Sequence, residues 1–426
     1  MAQNLCMKKI ILLIGIVCFI SCSSYKPLTK KVRAQLDTAF FDNQFSGLFV
    51  YDPLSADTLM NYNGDKYFTP ASNTKIFTLY AAISLLPEFL PTLEYTTAHG
   101  ELYIQGVGNP ATLHPVLKDS SLINFLKKQQ HINLYYNNLK DTPLGPGWAW
   151  DDFDTYYSPE RNPLPIFGNV VQLHKNDSLY VSVEALSDHI ELKNVPYRRA
   201  TAVNEFYLSP TQKDTIEVPF ITDSTLIRQI LENQTGQAVK IVDHFPEGEK
   251  KTIYGIAADS VYKRLMQVSD NFIAEQLLIM ASADLGETLS SAKTREYILE
   301  NNLKEIQYKP RWVDGSGLSR YNLFTPSSIV FTLNELYKRV PTETLYDIFP
   351  TGGESGTLAN YFKGNPRPYI HAKTGSLSNN YCLSGFLVTN SGKTLIFSFM
   401  NNHYRQSSSE LKSNMARILE YIRDHY

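Results

Sequence analysis

An α/β (α+β) fold carrying a β-rich insertion is what the sequence predicts, on three observations. Pairs of alternating apolar runs stand near both ends of the chain and read as antiparallel hairpins. Helical periodicity, with apolar residues three and four apart, follows the first pair and returns in the last third. Between them, residues from about 93 to 253 lose that periodicity and break into short alternating runs separated by Asn, Asp and Pro.

Taken in order, residues 23–44 are polar, with a helix-like stretch around Val32–Phe41. Gly47–Tyr51 and Leu59–Asn63 are the strands of a hairpin leading into Phe68-Thr69-Pro70-Ala71-Ser72. From Ser72 the pattern is helical: Ile76, Leu79, Tyr80, Ile83 and Leu86 share one face, and Pro87 ends it. Phe77, Ala81 and Ala82 fill the other faces, and a helix apolar nearly all round is central and buried. Within the insertion, Val170–Leu173 and Leu179–Val183 read as strands. Helical spacing resumes at Val261, Leu265 and Val268 and again at Ile273, Leu277 and Leu278. Tyr381–Thr389 and Thr394–Met400 flank the turn Asn390-Ser391-Gly392-Lys393, a hairpin signal. Leu411, Met415, Ile418, Leu419 and Ile422 form a closing amphipathic helix. The expected organisation is a removable segment at 1–21, one domain built from 23–92 and 254–426, and an inserted β-rich domain at 93–253.

The chain of 426 residues is long enough for two compact domains, and its 27 Tyr and 22 Phe mark it as globular. A formal net charge of -2 gives no electrostatic reason to expect a nucleic acid as partner. Lys8-Lys9 precede an apolar run, Ile10 to Ile20, too short to cross a hydrocarbon core of roughly 30 Å. A basic stretch, a short apolar stretch and a small residue are the parts of a signal peptide, and Met7 serves equally well as its start. Phe19-Ile20-Ser21-Cys22 resembles a bacterial lipobox, which implies acylation of Cys22, anchoring to a membrane through that lipid, and location in the cell envelope or periplasm. Cys6 and Cys18 leave with the signal, so only Cys382 remains, in an apolar run, as a core residue without a disulfide partner.

S-x-x-K occurs five times, so the pattern alone decides little. Ser72-Lys75 differs in its setting, directly after Pro70-Ala71 at the start of the buried helix. The spacing puts Lys75 one turn above Ser72, and free N–H groups at a helix start suit a developing oxyanion. Serine is also a preferred helix cap, which is the plainer reading. Two later tripeptides shift the balance. Ser269-Asp270-Asn271 falls between two helical stretches, and Lys373-Thr374-Gly375 opens the C-terminal strand region, each occurring once. S-x-x-K, S-D-N and K-T-G in that order are the signature of penicillin-binding proteins and class A β-lactamases. A serine hydroxyl needs a base to become a nucleophile, and lysine qualifies only if its pKa falls from about 10.4 towards neutrality. A fall of about three units corresponds to roughly 4 kcal/mol, supplied by burial and by a second cation, for which Lys373 is the candidate. Ser269 can relay the proton to the leaving amine, and Asn271 can bond the substrate amide. Lys373 and Thr374 suit a terminal carboxylate, Gly375 lets substrate lie against the strand, and the N–H groups of Ser72 and Ser376 can form the oxyanion hole.

With their surroundings these motifs resemble the D-alanyl-D-alanine carboxypeptidase/endopeptidase family, the class C low-molecular-mass penicillin-binding proteins. Further matches are Gly147-Trp148-Ala149-Trp150-Asp151-Asp152, Asp314-Gly315-Ser316-Gly317-Leu318-Ser319-Arg320-Tyr321-Asn322, Gly356-Thr357-Leu358 and Gly108-Asn109-Pro110. The resemblance implies a β-lactamase-like transpeptidase domain, an antiparallel sheet flanked by helices with an all-helical lobe, interrupted between its first two motifs. It also implies acylation of Ser72 by peptidoglycan stem peptides ending in D-Ala-D-Ala, and covalent inhibition by β-lactams. Asp152 and Tyr157 are placed to face the stem peptide's third residue. One departure stands out: where relatives carry an arginine five residues after the glycine of G-T-L, this chain has Tyr361, with Lys363 and Arg367 as substitutes.

The rival readings are a β-lactamase and a non-catalytic peptidoglycan-binding envelope protein. The first needs an E-x-x-L-N loop after S-D-N, but Glu305 is followed by Ile306-Gln307-Tyr308-Lys309. No G-x-S-x-G marks an α/β-hydrolase esterase. No cofactor is called for, and nine histidines without H-E-x-x-H give no reason to expect a metal; His371 reads as a strand residue.

Overall fold

The computed structural model describes residues 26–286 and 288–426, so the expected signal segment and Cys22 lie outside the described residues. Five antiparallel strands carry the site, in the order Ile370–Leu377, Asn380–Val388, Thr394–Asn402, Phe45–Asp52 and Asp57–Tyr62. The two hairpins from opposite ends of the chain therefore meet in one sheet, with Phe45 paired to Asn402 and Tyr51 to Ile396.

Helices cover both faces, which is why Asn380–Val388 is buried almost throughout. Lys26–Leu36 and Ser408–His425 pack Val32, Leu36, Met415 and Leu419 against Leu383 and Phe399. On the opposite face Lys75–Leu85 and Pro326–Arg339 pack Leu79, Phe77, Ile329 and Leu333 among Phe386 and Met400. Each such buried side chain contributes roughly 2 kcal/mol. Cys382 belongs to this second layer; burial pushes its thiol up to about 12, so it is an inert core residue.

Three local differences from the sequence reading have physical causes. The first helix stops at Leu36, short of Phe41: Thr38 Oγ1 donates to the Gln35 carbonyl (2.9 Å), satisfying a group that a further turn would have used. Ser72 precedes its α-helix instead of opening it, because Ala71–Thr74 is a 3₁₀ turn and the α-helix begins at Lys75. With three residues per turn, that geometry stacks Lys75 directly over Ser72.

The third difference concerns the stretch between the first two motifs, which is less uniformly β than its alternation suggested. Val239–Val242, Ile132–Tyr135, Glu101–Gly106, Phe89–Ala98 and Lys251–Ala257 form one sheet, whose first two pairings are parallel. Helices Ser121–Leu126 and Ser224–Thr235 pack on it, burying Leu122, Leu126, Ile227 and Leu231. The second helix has plain end signals: Asp223 accepts the Leu226 N–H, and Gly236 closes it at φ 70°. Smaller sheets join Ile216–Pro219, Val170–Lys175 and Leu179–Val181, and Ile190–Leu192 with Phe206–Leu208.

Candidate active site

The turn that carries Ser72 is fastened on every side. Asn402, at the end of its strand, accepts the Thr69 N–H (2.7 Å) and donates back to the Thr69 carbonyl (3.1 Å). Asn73 donates to the Lys373 carbonyl (2.9 Å) and its Oδ1 lies 2.6 Å from Ser384 Oγ, tying the first motif to the third. Gly375 faces this turn: a Cβ there would stand 2.5 Å from the Pro70 carbonyl oxygen. Its lack of a side chain is thus required by the close packing of strand against turn.

Lys75 is fully buried beneath Ser72 and makes three short contacts. Its Nζ donates to Ser72 Oγ (3.0 Å), Asn271 Oδ1 (2.6 Å) and the Ser316 carbonyl (2.6 Å). Asn271 is in turn held by donating to the Tyr157 carbonyl (2.9 Å). Lys373 forms the parallel arrangement with the second motif, donating to Ser269 Oγ (2.9 Å) and to the Thr374 carbonyl (2.8 Å). Ser269 reaches it from a left-handed backbone, φ 61°, in the short break between the helices Ala258–Gln267 and Asn271–Met280. Asp270 caps the second of these through the Ile273 N–H and pairs with Arg264 (3.0 Å).

Electrostatics follow from this burial. Desolvation lowers Lys75 to about 8, against the pull of the Asp314, Glu275 and Asp270 carboxylates. Burial and the Lys75 charge together hold Lys373 well below the ordinary lysine range. Burial is the main cause of both shifts, and at Lys75 the surrounding carboxylates oppose it.

Two carboxylates beyond the three motifs, Asp314 and Glu275, stand close to Lys75. Asp314 organises its whole loop, accepting the N–H groups of Gly317 (2.9 Å) and Ser319 (2.7 Å), Asn322 Nδ2 (2.6 Å) and Trp148 Nε1 (2.9 Å). Gly317, at φ 86°, lies so close to the first motif that a Cβ would be 2.0 Å from the Ala71 carbonyl oxygen. A detectable signal for Glu275 existed: it is the one charged residue in Asn271–Met280, a helix otherwise free of charge.

A cleft of about 770 Å³ opens over these groups, lined by Ser72, Ser269, Asn271, Ser376, Asp152 and Tyr157 among others. Tyr157 Oη donates to Asp152 Oδ1 (2.7 Å). Lys75, Lys373, Thr374 and Gly375 lie behind the lining, with Thr374 Oγ1 bonded to Thr357 Oγ1 (2.8 Å). Tyr361 is turned away under Lys412, whose Nζ sits 3.7 Å from its ring centroid. Neither Lys363 nor Arg367 lines the cleft; the cations that do are Arg264 and Arg320. His371 is a strand residue stacked on Tyr346 at 3.9 Å.

The chain is similar to known proteins over most of its length. It is 23% identical over 425 residues to D-alanyl-D-alanine carboxypeptidase DacB of Haemophilus influenzae, spanning 86% of this chain and 87% of that one. To the D-alanyl-D-alanine carboxypeptidase of Actinomadura sp. (strain R39) it is 24% identical over 461 residues, spanning 92% and 85%. Its fold matches the crystal structure of penicillin binding protein 4 (dacB) from Haemophilus influenzae with a TM-score of 0.69 at 21% identity, covering 92% of this chain and 98% of that one. Residues 28–238 and 259–422 match the family model itself, and the chain belongs to the D-Ala-D-Ala carboxypeptidase 3 (S13) family.

Proposed function

We propose that Ser72 is the nucleophile of a serine D-Ala-D-Ala carboxypeptidase acting on peptidoglycan stem peptides. The observation that carries this reading is the Lys75 amine, buried, lowered to about 8 and 3.0 Å from Ser72 Oγ. In its neutral form the amine takes the hydroxyl proton as Oγ attacks the carbonyl carbon of the penultimate D-Ala. The N–H groups of Ser72 and Ser376 stabilise the oxyanion. Ser269, held by Lys373, passes a proton to the departing D-Ala nitrogen as the peptide bond breaks. Asn271 and Thr374 orient the substrate, and water then hydrolyses the Ser72 ester. Asp152 and Tyr157 form the wall facing the third residue of the stem peptide. β-Lactams, as mimics of the terminal dipeptide, acylate the same oxygen and leave it slowly. Glu305, the residue a β-lactamase reading would recruit, lines a separate cavity beside Phe49 and Phe331.

The test is release of D-Ala from a stem pentapeptide, with Ser72→Ala expected to remove it to background; equal release by the variant refutes the assignment. Acylation by a penicillin is expected to rise about tenfold per pH unit up to about 8 and then level, since only neutral Lys75 accepts the proton. A flat profile across that range contradicts lysine as base.

We further propose that Cys22 is lipidated and anchors the mature chain to a membrane of the cell envelope, with catalysis in the periplasm. Its support is the Phe19-Ile20-Ser21-Cys22 pattern after the apolar run. Among the described residues no helix is long and apolar enough to cross a membrane. Fatty-acid labelling of the expressed protein, lost in Cys22→Ser, is the expected result; label retained by the variant rules the anchor out.

A further inference from the structure

Behind Ser72 lies a group of buried charges that the reaction as written does not use. Glu275 is fully buried, and its Oε1 accepts the backbone N–H groups of Gly315 (2.9 Å) and Ser316 (2.7 Å). Its Oε2 faces Arg161 Nη1 at 3.4 Å. Burial and the Asp314 charge push its pKa up, while these neighbours, all donors, and the Arg161 charge favour the ionised carboxylate. Arg161 comes from the stretch between the first two motifs, is itself buried, and is anchored by Asp141 (3.3 Å) and the carbonyls of Thr142 (2.8 Å) and Leu144 (3.2 Å). The carbonyl of the same Ser316 whose N–H Glu275 holds receives Lys75 Nζ at 2.6 Å.

We propose that Glu275, braced by Arg161, is a positioning residue for Lys75: it clamps the Gly315–Ser316 backbone on which the amine rests, and its charge governs how readily that amine gives up its proton. The inference rests on Lys75 serving Ser72 as base, and it adds a role for a segment far from the three motifs. Without the clamp, the carbonyl that fixes Lys75 is free to shift, and a displacement of about 1 Å at a catalytic group costs on the order of 10²-fold in rate.

The charges facing this pair come from several elements. Asp314 on the loop and Asp270 at the helix start act on Lys75 together with Glu275, and Lys373 on its strand is acted on by Lys75. Arg161 faces both Glu275 and Asp141. Asp141 also accepts from Ser291 Oγ, which in turn accepts from Arg295 Nη1 at 2.8 Å. The carboxylates of Asp141, Glu275 and Asp314 thus outnumber the guanidinium groups of Arg161 and Arg295 by one, a negative excess that favours the ammonium form of Lys75. Removing one member of each sign displaces that balance in opposite directions.

The experiment measures the rate of penicillin acylation against pH for the wild-type chain, Glu275→Gln and Arg161→Gln. Glutamine keeps an acceptor for the two N–H groups but loses the charge, so the acid limb is expected to move down by about one pH unit. Arg161→Gln leaves the carboxylates less compensated, and its limb is expected to move up. A purely structural role lowers the plateau of both variants and moves neither limb, and that result overturns the proposal, as does displacement of both limbs in one direction. If Arg161→Gln does not fold, Glu275→Gln decides alone: a limb displaced downward supports the proposal, and an unmoved limb overturns it. A wild-type chain that takes no label on Ser72 sinks the underlying reading instead, whereas labelled wild type with unmoved limbs sinks only this inference.

Discussion

Lys75→Met is expected to slow acylation of Ser72 by about 10⁴-fold while leaving the protein folded. Methionine matches the lysine stem but can neither accept a proton nor donate to Asn271 Oδ1 and the Ser316 carbonyl. Each orphaned acceptor costs about 1–3 kcal/mol. Against this, the variant no longer has to bury an amine whose charged form is disfavoured down to about 8. The two effects oppose each other, so stability should change far less than rate. Stopped-flow acylation by a chromogenic cephalosporin reads the rate, and calorimetry reads the fold. A variant acylated within tenfold of the wild type would mean that another group deprotonates Ser72. Loss of the Lys75 charge also relieves repulsion on Lys373, whose affinity for its proton should rise.

Gly317→Val is the second large effect, and it acts through the backbone of the turn that carries Ser72, with every catalytic side chain retained. The backbone at φ 86° is costly for a β-branched residue, and the added Cβ would stand 2.0 Å from the Ala71 carbonyl oxygen and 3.0 Å from the Ser72 nitrogen. Either the Asp314 loop or the 3₁₀ turn must retreat. The loop is held by five donors to one carboxylate, so the turn is the part expected to move, and Ser72 with it. Acylation should fall at least about 10²-fold, with a stability loss of about 2–4 kcal/mol. A wild-type acylation rate in a stable Gly317→Val protein would show that the loop does not hold the nucleophile.

How far these parts could be read beforehand depends on the range of the interaction that forms them. The hairpin Tyr381–Met400, the all-round apolar helix after Ser72 and the S-D-N break between two helices are written in local periodicity, and each is found in the structure. The helix Ser224–Thr235 was equally local, with Asp223 and Gly236 at its ends, but the strand-like runs around it masked it. The 3₁₀ form of Ala71–Thr74 was not legible, because it is imposed by Asn402, Ser384 and Gly375 arriving from the far end of the chain. The same holds for Gly375, whose neighbour is the Pro70 carbonyl and not open space. Motif order identified Ser72, Ser269 and Lys373 as candidates; the carboxylates that face Lys75 are a product of tertiary packing. Glu275 and Arg161 are 114 positions apart and meet only after the segment between the motifs has folded back.

The most direct measurement is the site of the covalent adduct. The wild-type chain is incubated with benzylpenicillin, digested, and its peptides mapped by mass. A penicilloyl group on the peptide that holds Ser72, absent from Ser72→Ala, is the expected result. An adduct on any other serine, or one that persists in the variant, would contradict an active hydroxyl poised over Lys75.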